Sequence, residues 1–163
     1  MKKIKITIKI LSILSTIGLI PIASLAQSEK MQAENKDIHP MVTHQLFEKA
    51  KANNNWKTAF VTGKHHQVVF MNISPSTNPK NEIGMETHPF DQIILIVEGK
   101  GKADLDGEMS EVNAGDMIFI PQGTRHNVIN LNQKNDLKII SFYSDTDIPA
   151  ESIYKQKEDE SKG

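Results

Sequence analysis

The chain has 163 residues, is 38% hydrophobic and 24% charged, carries a formal charge of −1 and contains no cysteine. That length suits one domain around one core. The lack of cysteine excludes a disulfide framework, thiolate chemistry and sulfur metal ligands, and the near-neutral to acidic balance leaves no electrostatic footprint for DNA or RNA.

Residues 1–26 read as a secretory signal peptide. Lys2, Lys3, Lys5 and Lys9 precede an apolar run over 10–25, which ends in Ser24-Leu25-Ala26 with small residues where a signal peptidase reads. The run is short for a membrane span of about 20 residues and is broken by Ser12, Ser15, Gly18 and Pro21. Cleavage is therefore predicted before Gln27, giving a periplasmic or secreted protein with no membrane attachment. Removing the four lysines leaves 15 Lys+Arg (19 minus 4) against 20 Asp+Glu, a formal charge of about −5.

Residues 27–38 are polar and aperiodic and read as a flexible leader. His39-Pro40 is expected to open a short helix, with Val42, Leu46 and Ala50 recurring every four residues and Phe47 beside them. Asn53-Asn54-Asn55 should end it, because asparagine tolerates left-handed backbone angles. His44, on this segment, reads as a surface residue.

From Trp56 the period becomes that of strands. Residues 56–62 alternate, Gly63-Lys64 turns the chain, and 67–73 form a second β-branched, apolar run. A loop with Pro75 and Pro79 follows. Further strands are expected over 82–87, 92–98, 102–105, 108–112, 117–120, 126–130 and 137–143, with Asp106-Gly107 as a two-residue hairpin turn. Ile94, Ile96, Phe119, Ile139 and Phe142 read as strand core. Many short strands separated by turns indicate an all-β antiparallel sandwich or barrel. Residues 147–163 are charged with little apolar period and read as a tail, partly packed at most.

One constellation carries chemistry. Glu86 and His88 are two apart, so on a strand they face the same way, and Gln92 shares their parity. His126 follows a Pro121-Gln122-Gly123 turn at the next long strand. If these strand ends meet, Glu86, His88, Gln92 and His126 offer two imidazole nitrogens and two oxygens. That set suits a divalent first-row transition metal (manganese, iron, cobalt, nickel, copper or zinc) with open positions for water or substrate. One carboxylate would leave the site near +1, which favours an anionic ligand. Arg125 either steers such an anion or is a solvated turn residue. His65 and His66 read as turn or surface residues, and Asp116 as a partner for turn amides. Asn127 and Asn130 are candidates to support the His126 strand end. No residue is singled out as catalytic.

These residues resemble the cupin family. Its second motif, G-x5-P-x-G-x2-H-x3-N, is met by Gly115, Pro121, Gly123, His126 and Asn130. Its first, G-x5-H-x-H-x3-4-E-x6-G, is met in part: His88 falls at the second histidine, Glu86 replaces the first, Gln92 stands at the glutamate and Gly99 closes the motif. Thr62-Gly63-Lys64-His65, Asp91-Gln92 and His126-Asn127 are similar to a bacterial subgroup with a Glu-x-His pattern, described as mannose-6-phosphate-isomerase-like. The sequence departs from that subgroup after Tyr143, where Ser144-Asp145-Thr146-Asp147 stands. The resemblance implies a double-stranded β-helix (jelly-roll) domain over 39–146, a mononuclear metal site at Glu86, His88, Gln92 and His126, and a homodimer. It also implies a small-molecule ligand or substrate, with oxygenase or isomerase chemistry. A non-enzymatic metal or ligand-binding module is the alternative.

Overall fold

The computed structural model describes residues 38–78 and 80–162. The expectations for a signal peptide and leader lie outside those residues, apart from Ile38. The fold below is that of the compact unit Met41–Gly163.

Among the described residues one α-helix, α1 (Leu46–Ala52), is followed by nine strands: β1 (Lys57–Thr62), β2 (Gln67–Ile73), β3 (Gln92–Glu98), β4 (Lys100–Leu105), β5 (Glu108–Asn113), β6 (Met117–Ile120), β7 (His126–Asn130), β8 (Leu137–Tyr143) and β9 (Ile153–Tyr154). They form a six-stranded sheet in the order β6-β3-β8-β2-β1-β9 and a three-stranded sheet in the order β5-β4-β7. Every strand pairing within them is antiparallel.

The main core lies between the sheets. Val69, Met71, Ile94, Ile96, Ile118, Ile120 and Ile139 come from the larger sheet and Ala103, Val112 and Val128 from the smaller. A second buried cluster, Phe70, Val97 and Ile140 with Ala50 of α1, covers the other face of the larger sheet. Its central strand β8 is thus buried on both faces, which explains why its sequence runs apolar without alternation. The two-sheet antiparallel architecture is the jelly roll expected from the sequence. The Asp106-Gly107 turn has positive φ at both positions (52° and 92°), the geometry a two-residue hairpin demands.

Several local expectations need correction. The helix starts at Leu46 and not near Pro40, because Gln45 is left-handed at φ 55°, and Val42 is 80% exposed. Asn53 ends the helix in an extended conformation, with its carbonyl accepting a bond from Lys138 Nζ at 2.5 Å. Phe119 lies on the edge strand β6 and is 53% exposed, so it is not core. Phe142 packs partly buried in the outer cluster.

Residues 82–87 form single bridges and no continuous strand: Glu82 opposite Ile129 and Glu86 opposite His126. The interruption is Gly84, whose φ of 103° only glycine adopts easily and whose N–H donates to Asn127 Oδ1 at 3.0 Å. The charged segment beyond residue 146 is more ordered than its composition suggests. It adds β9 alongside β1 and ends in a short 3-10 helix, Lys157–Lys162.

Candidate metal centre

Glu86 and His126 are placed by reciprocal backbone bonds, each N–H donating to the other's carbonyl at 2.9 Å. Residues so paired lie side by side on one face of a sheet. His88 follows two residues later, and its carbonyl accepts the N–H of Gly123 at 2.9 Å. That bond ties the turn before His126 to the His88 segment. The result is a cluster in which one ligand atom each from Glu86, His88 and His126 lie within 4.8 Å of one another. Ligand bonds of about 2.0–2.2 Å from each side bridge a gap of that order.

Each imidazole keeps one ring nitrogen free of hydrogen bonds. His126 is 1% exposed, and its Nδ1 lies 2.9 Å from the Thr124 carbonyl. A carbonyl only accepts, so the proton sits on Nδ1 and Nε2 keeps its lone pair. Nε2 of His126 and Nε2 of His88 are buried and have no hydrogen-bond partner. The second lies 3.5 Å from Glu86 Oε2. Phe90 stacks on the His88 ring at 5.1 Å and Tyr143 meets it edge-on at 5.4 Å, fixing its plane.

Gln92, at the start of β3, is 2% exposed. Its Nε2 donates to Ser141 Oγ at 3.1 Å while its Oε1 is buried and unpartnered. Arg125 is exposed, as are His44, His65 and His66. Asn127 supports the site from behind, accepting from Gly84 N and donating to Glu82 Oε2 at 2.7 Å. Asn130 instead braces the 73–74 and 132–135 backbone. Asp116 accepts the turn amide of Asn113 at 2.7 Å.

Sequence reasoning missed a second layer. Lys57, 1% exposed, sends its ammonium between three carboxylates: Glu160 at 2.5 Å, Glu86 at 3.7 Å and Asp147 at 3.8 Å. The available signal was parity, since Lys57 on β1 is in phase with Ala59, which packs on the core. Asp147 Oδ1 lies 3.5 Å from His88 Nδ1. Glu160 also accepts from Trp56 Nε1 at 3.0 Å. Nothing in the local sequence of 144–162 announces these contacts, because they depend on the chain folding back.

The electrostatics follow from that layer. Burial pushes the Glu86 carboxyl up, but the neighbouring His88 ring, the Lys57 ammonium and the His126 ring together hold it below its ordinary value. Burial pushes the Lys57 ammonium down, and Glu86, Asp147 and Glu160 together carry it above its ordinary value. Asp147 is raised, chiefly by burial. Burial, then Asp147 and Glu86, push the Tyr143 phenol well up, so it stays protonated. Three carboxylates against one ammonium leave a formal charge of −2 here, which a divalent ion would bring to zero. With an ion counted, the site is thus neutral and not at the +1 expected from Glu86 alone.

Comparison with known proteins bears on the same region. The Cupin domain family model matches residues 76–143, which hold Glu86, His88, Gln92 and His126. The chain is 34% identical over 116 residues to the YrkC protein of Bacillus subtilis, an alignment covering 67% of this chain and 60% of that protein. It is 33% identical over 111 residues to protein L612 of Acanthamoeba polyphaga mimivirus, covering 65% of this chain and 66% of that one. It therefore spans less than two thirds of either relative. The crystal structure of BH2720 from Bacillus halodurans superposes with a TM-score of 0.69 at 30% identity, covering 75% of this chain and 93% of that one. A cupin superfamily protein from Desulfitobacterium hafniense, 15% identical with a TM-score of 0.53 over 68% of this chain and 97% of its own, shares the fold.

Proposed function

This chain belongs to the cupin family, and from that premise we propose that Glu86, His88 and His126, with Gln92 as fourth ligand, hold one divalent first-row metal and present it to a small polar molecule. The observation that carries this reading is the pair of buried, unpartnered Nε2 atoms beside the Glu86 carboxylate. Each such atom costs about 1–3 kcal/mol when left unpaired, and a metal bond offsets that cost. Two nitrogens, oxygens and no sulfur suit manganese, iron, cobalt, nickel, copper or zinc. When bound, the ion supplies Lewis acidity or, if redox-active, oxygen activation, so isomerisation and oxygenation are the reaction types proposed.

The chain's own residues do the rest. Glu86 stays ionised at neutral pH and brings the one negative charge among the four ligands. Tyr143 keeps its phenolic proton and, with Phe90, packs against the His88 ring. Lys57 balances carboxylates and is too engaged to serve as a base. With the site neutral once an ion is bound, a neutral polar ligand fits as well as an anionic one. The engagement of Lys57 also favours a second reading, in which the domain captures metal or a small ligand without turning it over.

We also propose that the domain is exported, on the strength of the basic and apolar pattern over 1–26. A homodimer is proposed through the edge strand β6, where Met117 and Phe119 are exposed. The site itself is tested by loading the full chain with Mn²⁺ and following water-proton relaxation. A relaxation enhancement that falls when small polar compounds are added supports an open coordination position. No enhancement, with Mn²⁺ bound, contradicts it.

A further inference from the structure

We propose that Asp147 is a positioning residue for the metal centre, drawing the His88 proton towards Nδ1 so that Nε2 is free to ligate. This rests on the metal-binding reading above. A neutral imidazole carries one proton, and which nitrogen holds it is set by the neighbour of the other. At His126 the neighbour of Nδ1 is the Thr124 carbonyl, at 2.9 Å. At His88 it is the Asp147 carboxylate, with Oδ1 3.5 Å away. A protonated Nδ1 is attracted to that oxygen, whereas a bare Nδ1 sets lone pair against lone pair. Nε2 of His88 faces Glu86 Oε2 at the same 3.5 Å, so Asp147 competes with Glu86 for the single proton, and the share it draws to Nδ1 frees the buried Nε2 for a metal. Nε2 is thus freed by different means at the two histidines, at His126 by a backbone carbonyl and at His88 by a second carboxylate.

The carboxylate is itself fixed in place. The buried side chain of Gln67 receives the N–H groups of Asp147 and Ile148 at 3.0 and 3.1 Å. It returns a bond from Nε2 to the Ile148 carbonyl at 2.7 Å. Asp147 is thus held by its own backbone against β2, while Lys57 sits 3.8 Å from Oδ2. Carboxylate–histidine–metal triads of this kind orient the ring and raise its basicity as a ligand, and losing the outer partner weakens metal affinity by about 10–100-fold. Asp147 lies beyond the region matched by the family model, which ends at residue 143. The structure therefore assigns part of the site to a segment outside the shared motifs.

The test uses the metal-free full chain, Asp147→Ala and Asp147→Asn. Imidazole nitrogen–proton correlation spectra of the metal-free proteins report the tautomer of each histidine, and Co²⁺ titration followed by visible absorption reports affinity. The unmutated protein is expected to show the proton on Nδ1 of His126 and divided between Nδ1 and Nε2 of His88. In Asp147→Ala the His88 proton should move to Nε2, facing Glu86, while His126 is unchanged, and Co²⁺ affinity should drop about 10–100-fold. Asp147→Asn, which retains an acceptor oxygen but no charge, should recover part of both. Unchanged affinity in Asp147→Ala, or a His88 proton distribution that Asp147→Ala leaves unchanged, overturns the role of Asp147 alone. Failure of the unmutated chain to take up Co²⁺ overturns the metal reading and the role of Asp147 with it.

Discussion

Lys57 and Glu160, 103 residues apart, meet with Nζ and Oε1 separated by 2.5 Å, and the ammonium so held also faces Glu86 and Asp147. The first strand of the domain and its last turn are joined beside the candidate metal ligands. Removing the ammonium leaves the carboxylates uncompensated. Lys57→Met should destabilise the metal-free protein by about 3 kcal/mol, the low end for a broken buried pair because Glu86 and Glu160 are partly exposed. Urea unfolding measures this, and adding Zn²⁺ should narrow the gap between variant and parent. An unchanged urea midpoint contradicts the arrangement.

The pH dependence follows from the same groups. Glu86 is held below its ordinary value of 4.5, so its contribution to stability is present above that pH and is lost as pH falls through the folded-state value beneath it. Asp147 is raised above 3.8 and acts in the opposite sense, its ionisation opposing folding as pH rises. Lys57 is raised above 10.5, so its contribution is complete below 10.5 and declines as pH rises through its folded-state value. The difference in Tm between metal-free parent and Lys57→Met should accordingly hold steady through neutral pH and shrink above 10.5. A difference that grows with alkalinity has the wrong sign for this account.

Core and edge should respond differently to truncation. Ile139 is fully buried between the sheets, and Ile139→Ala should cost about 2–5 kcal/mol. Phe119 is exposed on β6, and Phe119→Ser should change monomer stability by about 0.5 kcal/mol or less. Denaturant midpoints of the two variants check this. If β6 is the dimer edge, Phe119→Ser shifts the sedimentation profile towards monomer instead.

Gln92 is the weakest of the proposed ligands, being neutral and already donating to Ser141. Gln92→Ala should lower Co²⁺ affinity less than His126→Ala does, and Gln92→Glu should raise it by adding charge. Competition against a chelator ranks the three. A ranking with Gln92→Ala as the most damaging would reassign the metal's principal contacts.

The sequence carried the sheet framework and the grouping of Glu86, His88 and His126 well, because both rest on local pattern. Residues 117–120, 126–130 and 137–143 alternate or run apolar between turn residues, and the observed strands have those limits. Glu86, His88 and His126 were legible from spacing and parity, and the cluster brings them together. What stayed hidden depends on distant contacts. Gly84 breaks the expected strand at 82–87 through a bond to Asn127, 43 residues away. Phe119 looks like core until its strand proves to be an edge. Asp147 and Glu160 sit in a charged stretch without period, and only the pairing of β9 with β1 and the grip of Gln67 bring that stretch to the site.

The most direct test of the central claim is elemental analysis of the full chain purified from the cells that make it, beside His88→Ala and His126→Ala. The account predicts one equivalent of a first-row transition metal in the parent and its loss in both variants. A parent free of metal that takes none up when Mn²⁺, Fe²⁺, Co²⁺, Ni²⁺, Cu²⁺ or Zn²⁺ is supplied would contradict it.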